Sequence, residues 1–330
     1  MRSFKSVIII AASFAAIFFG CEKKEKSNSD SSNLLQTENQ KHYSDWTTPV
    51  LLSSVINTSA NEQHPFLSKD GLSLFFTSDR TGTTGGLDLW VSERESLTSP
   101  WGQPQNLGTN VNSTALDMAP GLSPDEHWLY FHSARPGGSG DADLYVSHRS
   151  DRHNNFDWEP AVNLGPTING ICEDAGPTFY ENEANGQQII YFNTRRPVSG
   201  AGSCDELHIW QSVRNADSIW GAPTYVPQLS STARDTRTAI RRRDGLEIII
   251  SSGRSGGQGG QDLWVSTRNS TLDPWGLPVN LGPTINTSSF DGAPALSFDA
   301  KTLIFFSNRP GGQGANDLYM STRNQLNGAQ

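Results

Sequence analysis

"SARPGGSGDADLYVSHR", Ser133 to Arg149, opens on an arginine, passes through glycines too flexible for a regular element and ends in an alternating strand. Alone, such a loop beside a basic residue could cradle a phosphate. It is not alone. "SDRTGTTGGLDLWVSER" begins at Ser78, "SGRSGGQGGQDLWVSTR" at Ser252, "SNRPGGQGANDLYMSTR" at Ser307, and a degenerate copy, "TRRPVSGAGSCDELHIW", at Thr194. A second signature precedes each copy, as in "PFLSKDG" at Pro65 and "PALSFDA" at Pro294. A third follows, as in "WGQPQNLGTNVN" at Trp101 and "WGLPVNLGPTIN" at Trp275. Repeats change what each motif means, because a loop that recurs five times is architecture before it is a site.

Trp46, Trp101, Trp158, Trp220 and Trp275 step by 55, 57, 62 and 55 residues. Each unit reads as four antiparallel strands: an inner strand ending in a Ser-x-Asp-Gly turn, its hairpin partner, the glycine loop leading into Asp-Leu-Trp-Val-Ser, and an outer strand from the tryptophan. Four strands at this period specify a propeller blade, and the fold class is an all-β, single five-bladed β-propeller. Five inner units are present, but the fifth ends at "DLYMSTRNQLNGAQ" without a tryptophan strand. The missing copy stands at the front, "WTTPVLLSSVIN", Trp46 to Asn57. The N-terminal segment is therefore expected to supply the outer strand of the last blade and close the ring, which removes exposed sheet edges. An ion pair or hydrogen-bond clamp across each loop mouth is expected to pin the glycine loop, with Arg80, Arg135, Arg196, Arg254 and Arg309 at its start and Asp88, Asp143, Asp262 and Asp317 at its end, Glu206 in the third unit.

Composition agrees: 35% hydrophobic, 18% charged, 31 Gly, 18 Pro and nine Trp suit short strands and turns. The net charge of −9 leaves no electrostatic footprint for nucleic acid. "MRSFKSVIIIAASFAAIFFGC" has basic Arg2 and Lys5, an apolar run and Gly20 before Cys21. It reads as a signal peptide over residues 1–21. Residues 22–43 have the composition of a disordered polar tether, 44–326 form the propeller, and 327–330 a short tail. With Cys21 set aside, Cys172 and Cys204 remain as an even pair in an oxidising compartment, and a disulfide between them is expected.

Two resemblances enter on these residues. The segment ending in Gly-Cys resembles a bacterial lipoprotein signal, which implies lipidation of Cys21 and a lipid-anchored protein of the cell envelope, on the periplasmic side or the outer membrane. "LSPDE…LYFHSARPGGSGDADLYVSHR" resembles the Pro-Asp type of WD40-like repeat, the TolB-like propeller lipoprotein family, over about Trp46 to Arg323. That resemblance implies binding of a protein, peptide or glycan, although some related propellers are enzymes.

The default ligand site is the mouth of the central channel. Three residues before each inner-strand proline (or Thr238) stands an acid, Glu62, Asp117, Asp174, Asp235 and Asp291. These could ring the mouth, or instead bond backbone N–H groups of the blades. Function more often lies where repeats disagree, at His64, Ala119, Gly176, Arg237 and Ala293, and at Thr77, His132, Asn193, Ser251 and Phe306. His64, His132 and Arg237 are the candidate ligand contacts, and blade four adds Arg234, Arg241, Arg242 and Arg243. Catalytic elbows and zinc spacings are absent; "GDADLY", with Asp141 and Asp143, weakly suggests a divalent cation such as calcium but lacks an EF-hand loop. A metal site built from the cysteines and His208 lacks four ligands. These observations favour a binding or scaffold module for an envelope protein, peptide or glycan, monomeric and without cofactor, over an enzyme. The alternative is a glycoside hydrolase or polysaccharide lyase using carboxylates at the channel mouth.

Overall fold

The computed structural model describes residues 43–326, apart from 183, 184, 201, 216 and 218. The signal segment with Cys21, the tether to residue 42 and the tail 327–330 lie outside the described residues. Among the described residues the chain forms β1 (Val50–Leu51), then five runs of strands. Blade one is β2 (Glu62–Leu67), β3 (Ser73–Ser78), β4 (Asp88–Glu93) and β5 (Gln105–Asn106). Blade two is β6 (Asp117–Leu122), β7 (Trp128–Ser133), β8 (Asp143–His148) and β9 (Val162–Asn163). Blade three is β10 (Asp174–Asn182), β11 (Gln187–Thr194), β12 (His208–Val213) and β13 (Thr224–Tyr225). Blade four is β14 (Asp235–Ile240), β15 (Glu247–Ser252), β16 (Asp262–Thr267) and β17 (Val279–Asn280). Blade five is β18 (Asp291–Leu296), β19 (Thr302–Ser307) and β20 (Asp317–Thr322), with β1 as its outer strand.

All pairings within the blades are antiparallel, and each inner strand packs on the next until β18 meets β2. Middle strands are apolar almost throughout, as in "SLFFTS", because each is covered on both faces by neighbouring blades. The core is accordingly five clusters, one per blade junction; Phe75, Leu89 and Val91 of blade one, for example, meet Leu122, Leu129 and Phe131 of blade two. Pro65, Pro120, Pro177 and Pro294 fall at or beside a one-residue bulge in the inner strand. The free edge of that strand faces the channel, and proline there removes a donor that no strand would accept.

The closure expected from the sequence is found. Val50 pairs Met320 and Leu51 pairs Tyr319. In four other joints the arginine after the third strand lies over the tryptophan of its outer strand: Arg94 on Trp101 at 4.3 Å, Arg149 on Trp158 at 4.4 Å, Arg214 on Trp220 at 5.7 Å and Arg268 on Trp275 at 4.1 Å. In blade five Arg323 lies over Trp46 at 4.3 Å, so a residue from the front of the chain fills the same place. The asparagine clamp repeats too: Asn112 accepts from Leu89 N and donates to Leu89 O, and Asn57 does the same to Leu318 across the closure.

Candidate functional site

The inner-strand bulges decide what faces the channel. Each leaves one residue out of register, and in four blades that residue has positive φ: His64 (49°), Ala119 (58°), Gly176 (61°) and Ala293 (47°). For the non-glycine residues this backbone is strained, and such strain gathers at functional sites. The displaced N–H groups find partners on the preceding blade. Ala119 N donates to Thr77 Oγ1 at 3.1 Å, Gly176 N to His132 Nδ1 at 3.3 Å and Arg237 N to Asn193 Oδ1 at 3.2 Å. At three junctions the two sets of positions at which the repeats disagree are therefore partners, the bulge residue of one blade bonded to the end of the second strand of the blade before. Phe306 has no acceptor to offer His64, and its ring packs beside the imidazole instead, centroids 5.8 Å apart.

All five blades meet at a cavity of about 440 Å³ over this ring of bulges. His64, His132 and Arg237 line it, as does Arg234 on the exposed rim. His132 is buried, and because Gly176 N–H points at Nδ1, that nitrogen must stay unprotonated. Burial, with the Arg237 charge adding to it, pulls the His132 pKa down to about 3. His64 is lowered well below its ordinary value by burial, then by Arg237, His132 and Arg234, and its Nδ1 has no partner. Both imidazoles are neutral at ordinary pH, in a field made positive by two arginines.

The five repeated acids are not in this cavity. Glu62, Asp117, Asp174, Asp235 and Asp291 are all fully buried. Each is held by the loop arginine of its own blade: Arg80 to Glu62 at 3.0 Å, Arg135 to Asp117 at 2.6 Å, Arg196 to Asp174 at 2.7 Å, Arg254 to Asp235 at 3.0 Å and Arg309 to Asp291 at 2.5 Å. The same arginines donate to carbonyls of the preceding outer strand's loop, Ile56 O or Val111 O for instance. A ligand-facing acid ring is thus replaced by five inter-blade staples. Across the loop mouth a hydrogen-bond clamp is found and not an ion pair: Asp88 accepts Thr84 and Gly85 N–H and the Asn106 amide, not an arginine. Asp143 is spent in the same way on Ser139, Gly140 and Asn163, which leaves the calcium suggestion at "GDADLY" with the single exposed carboxylate of Asp141, too few for a cation site. No cluster of three His, Cys, Asp or Glu suited to a metal occurs among the described residues.

Cys172 and Cys204 form the expected disulfide, which ties the blade-three glycine loop to the entry of β10. His208 stands 3.8 Å from Asp235, away from both sulfurs in role. Arg241 and Arg242 lie at the other end of the channel, where Arg241 pairs with Asp244 and Glu247 and Arg242 donates to Leu67 O. Reading the sequence misses Glu173, Gln63, Gln261, Phe290, Asn308 and Asn316, which also line the cavity. A signal for some was present: one residue before each repeated acid stand Asn61, Leu116, Glu173, Arg234 and Phe290, as unlike one another as any set in the repeat.

No family model matches the chain, and no curated protein does. Solved structures share the ring. A GH43_1 enzyme from Xanthomonas citri, complexed with xylotriose, superposes with TM-score 0.58 at 12% identity, covering 91% of this chain and 95% of that one. An alpha-L-arabinofuranosidase from Lactobacillus brevis gives 0.56 at 12% identity, over 84% and 94%. A protein of unknown function from Dyadobacter fermentans gives 0.53 at 11% identity, over 86% and 100%. At such identities the likeness establishes the five-bladed fold. It also corrects two expectations. The TolB-like, WD40-like assignment is not met: the neighbours include glycoside hydrolases of families 43 and 62, and no family model matches. The preference for a binding scaffold over an enzyme is corrected as well, since carbohydrate-cleaving enzymes are among the neighbours that share this ring.

Proposed function

We propose that the chain is a carbohydrate-active enzyme that cleaves a saccharide in the cavity at the channel mouth. The observation that carries this reading is the character of that cavity. It joins side-chain amides from several blades (Gln63, Asn193, Gln261 and Asn308), which match the donors and acceptors of sugar hydroxyls, to the faces of Phe290 and Phe306, stacked with centroids 5.2 Å apart. Likeness to arabinofuranosidases and to a xylotriose-bound enzyme supports the same substrate class.

Hydrolysis by a facing pair of carboxylates needs two acids at the bond being cut. Among the described lining residues Glu173 is the one carboxylate, because the five repeated acids are sealed by their arginines. Glu173 is therefore assigned as the proton-transfer group, and the imidazoles of His64 and His132, which resist protonation, line the cavity as polar contacts and not as bases. Incubation with arabinan, xylan and pectic polysaccharides, read both for new reducing ends and for the ultraviolet absorbance of unsaturated ends, tests the assignment. Glu173→Gln is expected to lower the rate about 10²-fold or more, with the melting temperature unchanged. Activity that survives this substitution removes Glu173 from the chemistry, and no cleavage across the panel removes the enzyme reading. We also propose that Cys21 is lipidated and holds the propeller at the cell envelope; Cys21→Ser should release the protein into the soluble fraction.

A further inference from the structure

The five loop arginines each hold a buried carboxylate, and Arg241 and Arg323 share Glu247. Among the described residues Arg149, Arg242, Arg268 and Arg237 are buried without a carboxylate at ion-pair distance, and of these four Arg237 is the one that lines the mouth cavity. It is 3% exposed and reaches across the channel from blade four to blade two, where Nη1 donates to Ala119 O at 2.8 Å and Nη2 to Pro120 O at 2.5 Å. Those two carbonyls fix the guanidinium at the floor of the mouth cavity but do not neutralise it. Its Nε has no partner. Burial is the one influence on its titration, which it pulls down to about 9, with no carboxylate to raise it again. A buried charge left unpaired is costly to a fold, and one that borders an open cavity is in reach of a counter-ion from outside.

Three further features give that counter-ion a shape. His64 Nδ1 lies in the same cavity, shut away from solvent and without a partner. Arg234 stands on the rim above, so the cavity holds two arginines against one acid, Glu173. At about 440 Å³ the space is far larger than the ~30 Å³ that one water occupies in the liquid, and its amides and stacked phenylalanines suit a ring bearing hydroxyls. A lone inorganic anion would leave most of it unfilled.

We propose that the mouth selects an acidic saccharide, a uronic acid unit whose carboxylate is taken by Arg237 at the cavity floor with Arg234 at the rim. The sugar ring then lies toward Phe290 and Phe306, and its hydroxyls meet the amides of Asn193 and Gln261. This rests on the saccharide reading above and narrows it to a charged substrate. Guanidinium suits the task because its fork matches a carboxylate in plane and keeps its charge.

Calorimetric titration of the intact protein with galacturonate and glucuronate, beside galactose, glucose, acetate and chloride, tests the proposal. The uronates should bind at least about ten-fold tighter than their neutral counterparts and than acetate, a gap of about 1.4 kcal/mol. Arg234→Gln removes an exposed side chain, so it should leave the melting temperature in place and weaken uronate binding several-fold while leaving neutral sugars unaffected. Arg237→Lys keeps a charge but loses the fork; uronate binding should fall further still, with folding checked by circular dichroism. Neutral sugars that bind as tightly as uronates would overturn the acidic preference and leave the saccharide reading standing. Acetate or chloride binding as tightly as the uronates would reduce the site to one for a simple anion and overturn the proposal. If polysaccharide cleavage is found on neutral substrates while no uronate binds, the present inference fails alone.

Discussion

His132 carries the clearest consequence of a single residue's surroundings. Gly176 N–H aims at Nδ1, the ring is buried, and the nearby Arg237 repels a second charge, so the folded protein holds the imidazole neutral down to about pH 3. The unfolded chain protonates it near its ordinary value of about 6.5. Between those limits the unfolded state binds more protons than the folded one, so folding stability falls as the pH falls, by about 1.4 kcal/mol per unit. From pH 7 to pH 5 the contribution of this one ring is a loss of about 2 kcal/mol, and His64, lowered for the same reasons, acts in the same direction. His132→Gln keeps an acceptor for Gly176 N–H without a titrating ring. Urea unfolding at pH 5 and pH 7 should show the variant losing about 2 kcal/mol less than the parent over that interval. An equal loss in both would mean that His132 takes its proton readily in the folded state.

At the scale of the element, the glycine loops separate two uses of one residue type. Gly256 in blade four has φ of 91° and is glycine for its backbone. Gly259 has no such requirement, but a Cβ there would run into the backbone oxygens of Ser289 and Thr287 in the next blade. Gly85, Gly140 and Gly314 meet the next blade in the same way, at Ala115 O, Cys172 O and Ala60 O. Neighbouring Gly260 has open space around it. Gly259→Ala should therefore cost about 1–3 kcal/mol by overpacking, and Gly260→Ala should stay within about 0.5 kcal/mol; denaturant midpoints of the two variants check the contrast. The repeat made these loops, the strand order and the disulfide pair legible, since recurrence and cysteine count need no coordinates. It did not reveal that each loop arginine turns inward to the acid of its own inner strand. Both residue types recur in every unit, and a recurring Arg with two recurring acids leaves the pairing open. Nor could it place Glu173 or Phe290, whose inward aim depends on the bulge three residues further on.

For the whole molecule the decisive joint is the one between the two ends of the chain. Joining them costs loop-closure entropy once, and that cost grows only with the logarithm of the separation. In return the fifth blade gains β1, the clamp of Asn57 on Leu318 and the stacking of Arg323 on Trp46. If closure is as firm as the other joints, a residue in it should behave like its counterpart inside a blade. Trp46 and Trp101 make that comparison, since both are partly buried and both lie 4.3 Å beneath an arginine. Trp46→Ala and Trp101→Ala should each cost about 2 kcal/mol in one cooperative unfolding transition. A ring that opened readily would answer differently: Trp46→Ala would be nearly silent, and the exposed edge of β20, with Tyr319 and Met320 unpaired, would draw molecules together as the concentration rose. Sedimentation of the Trp46→Ala protein over a range of concentrations distinguishes the two cases, because a firmly closed propeller weakened at this joint still sediments as a single species until it unfolds as a whole.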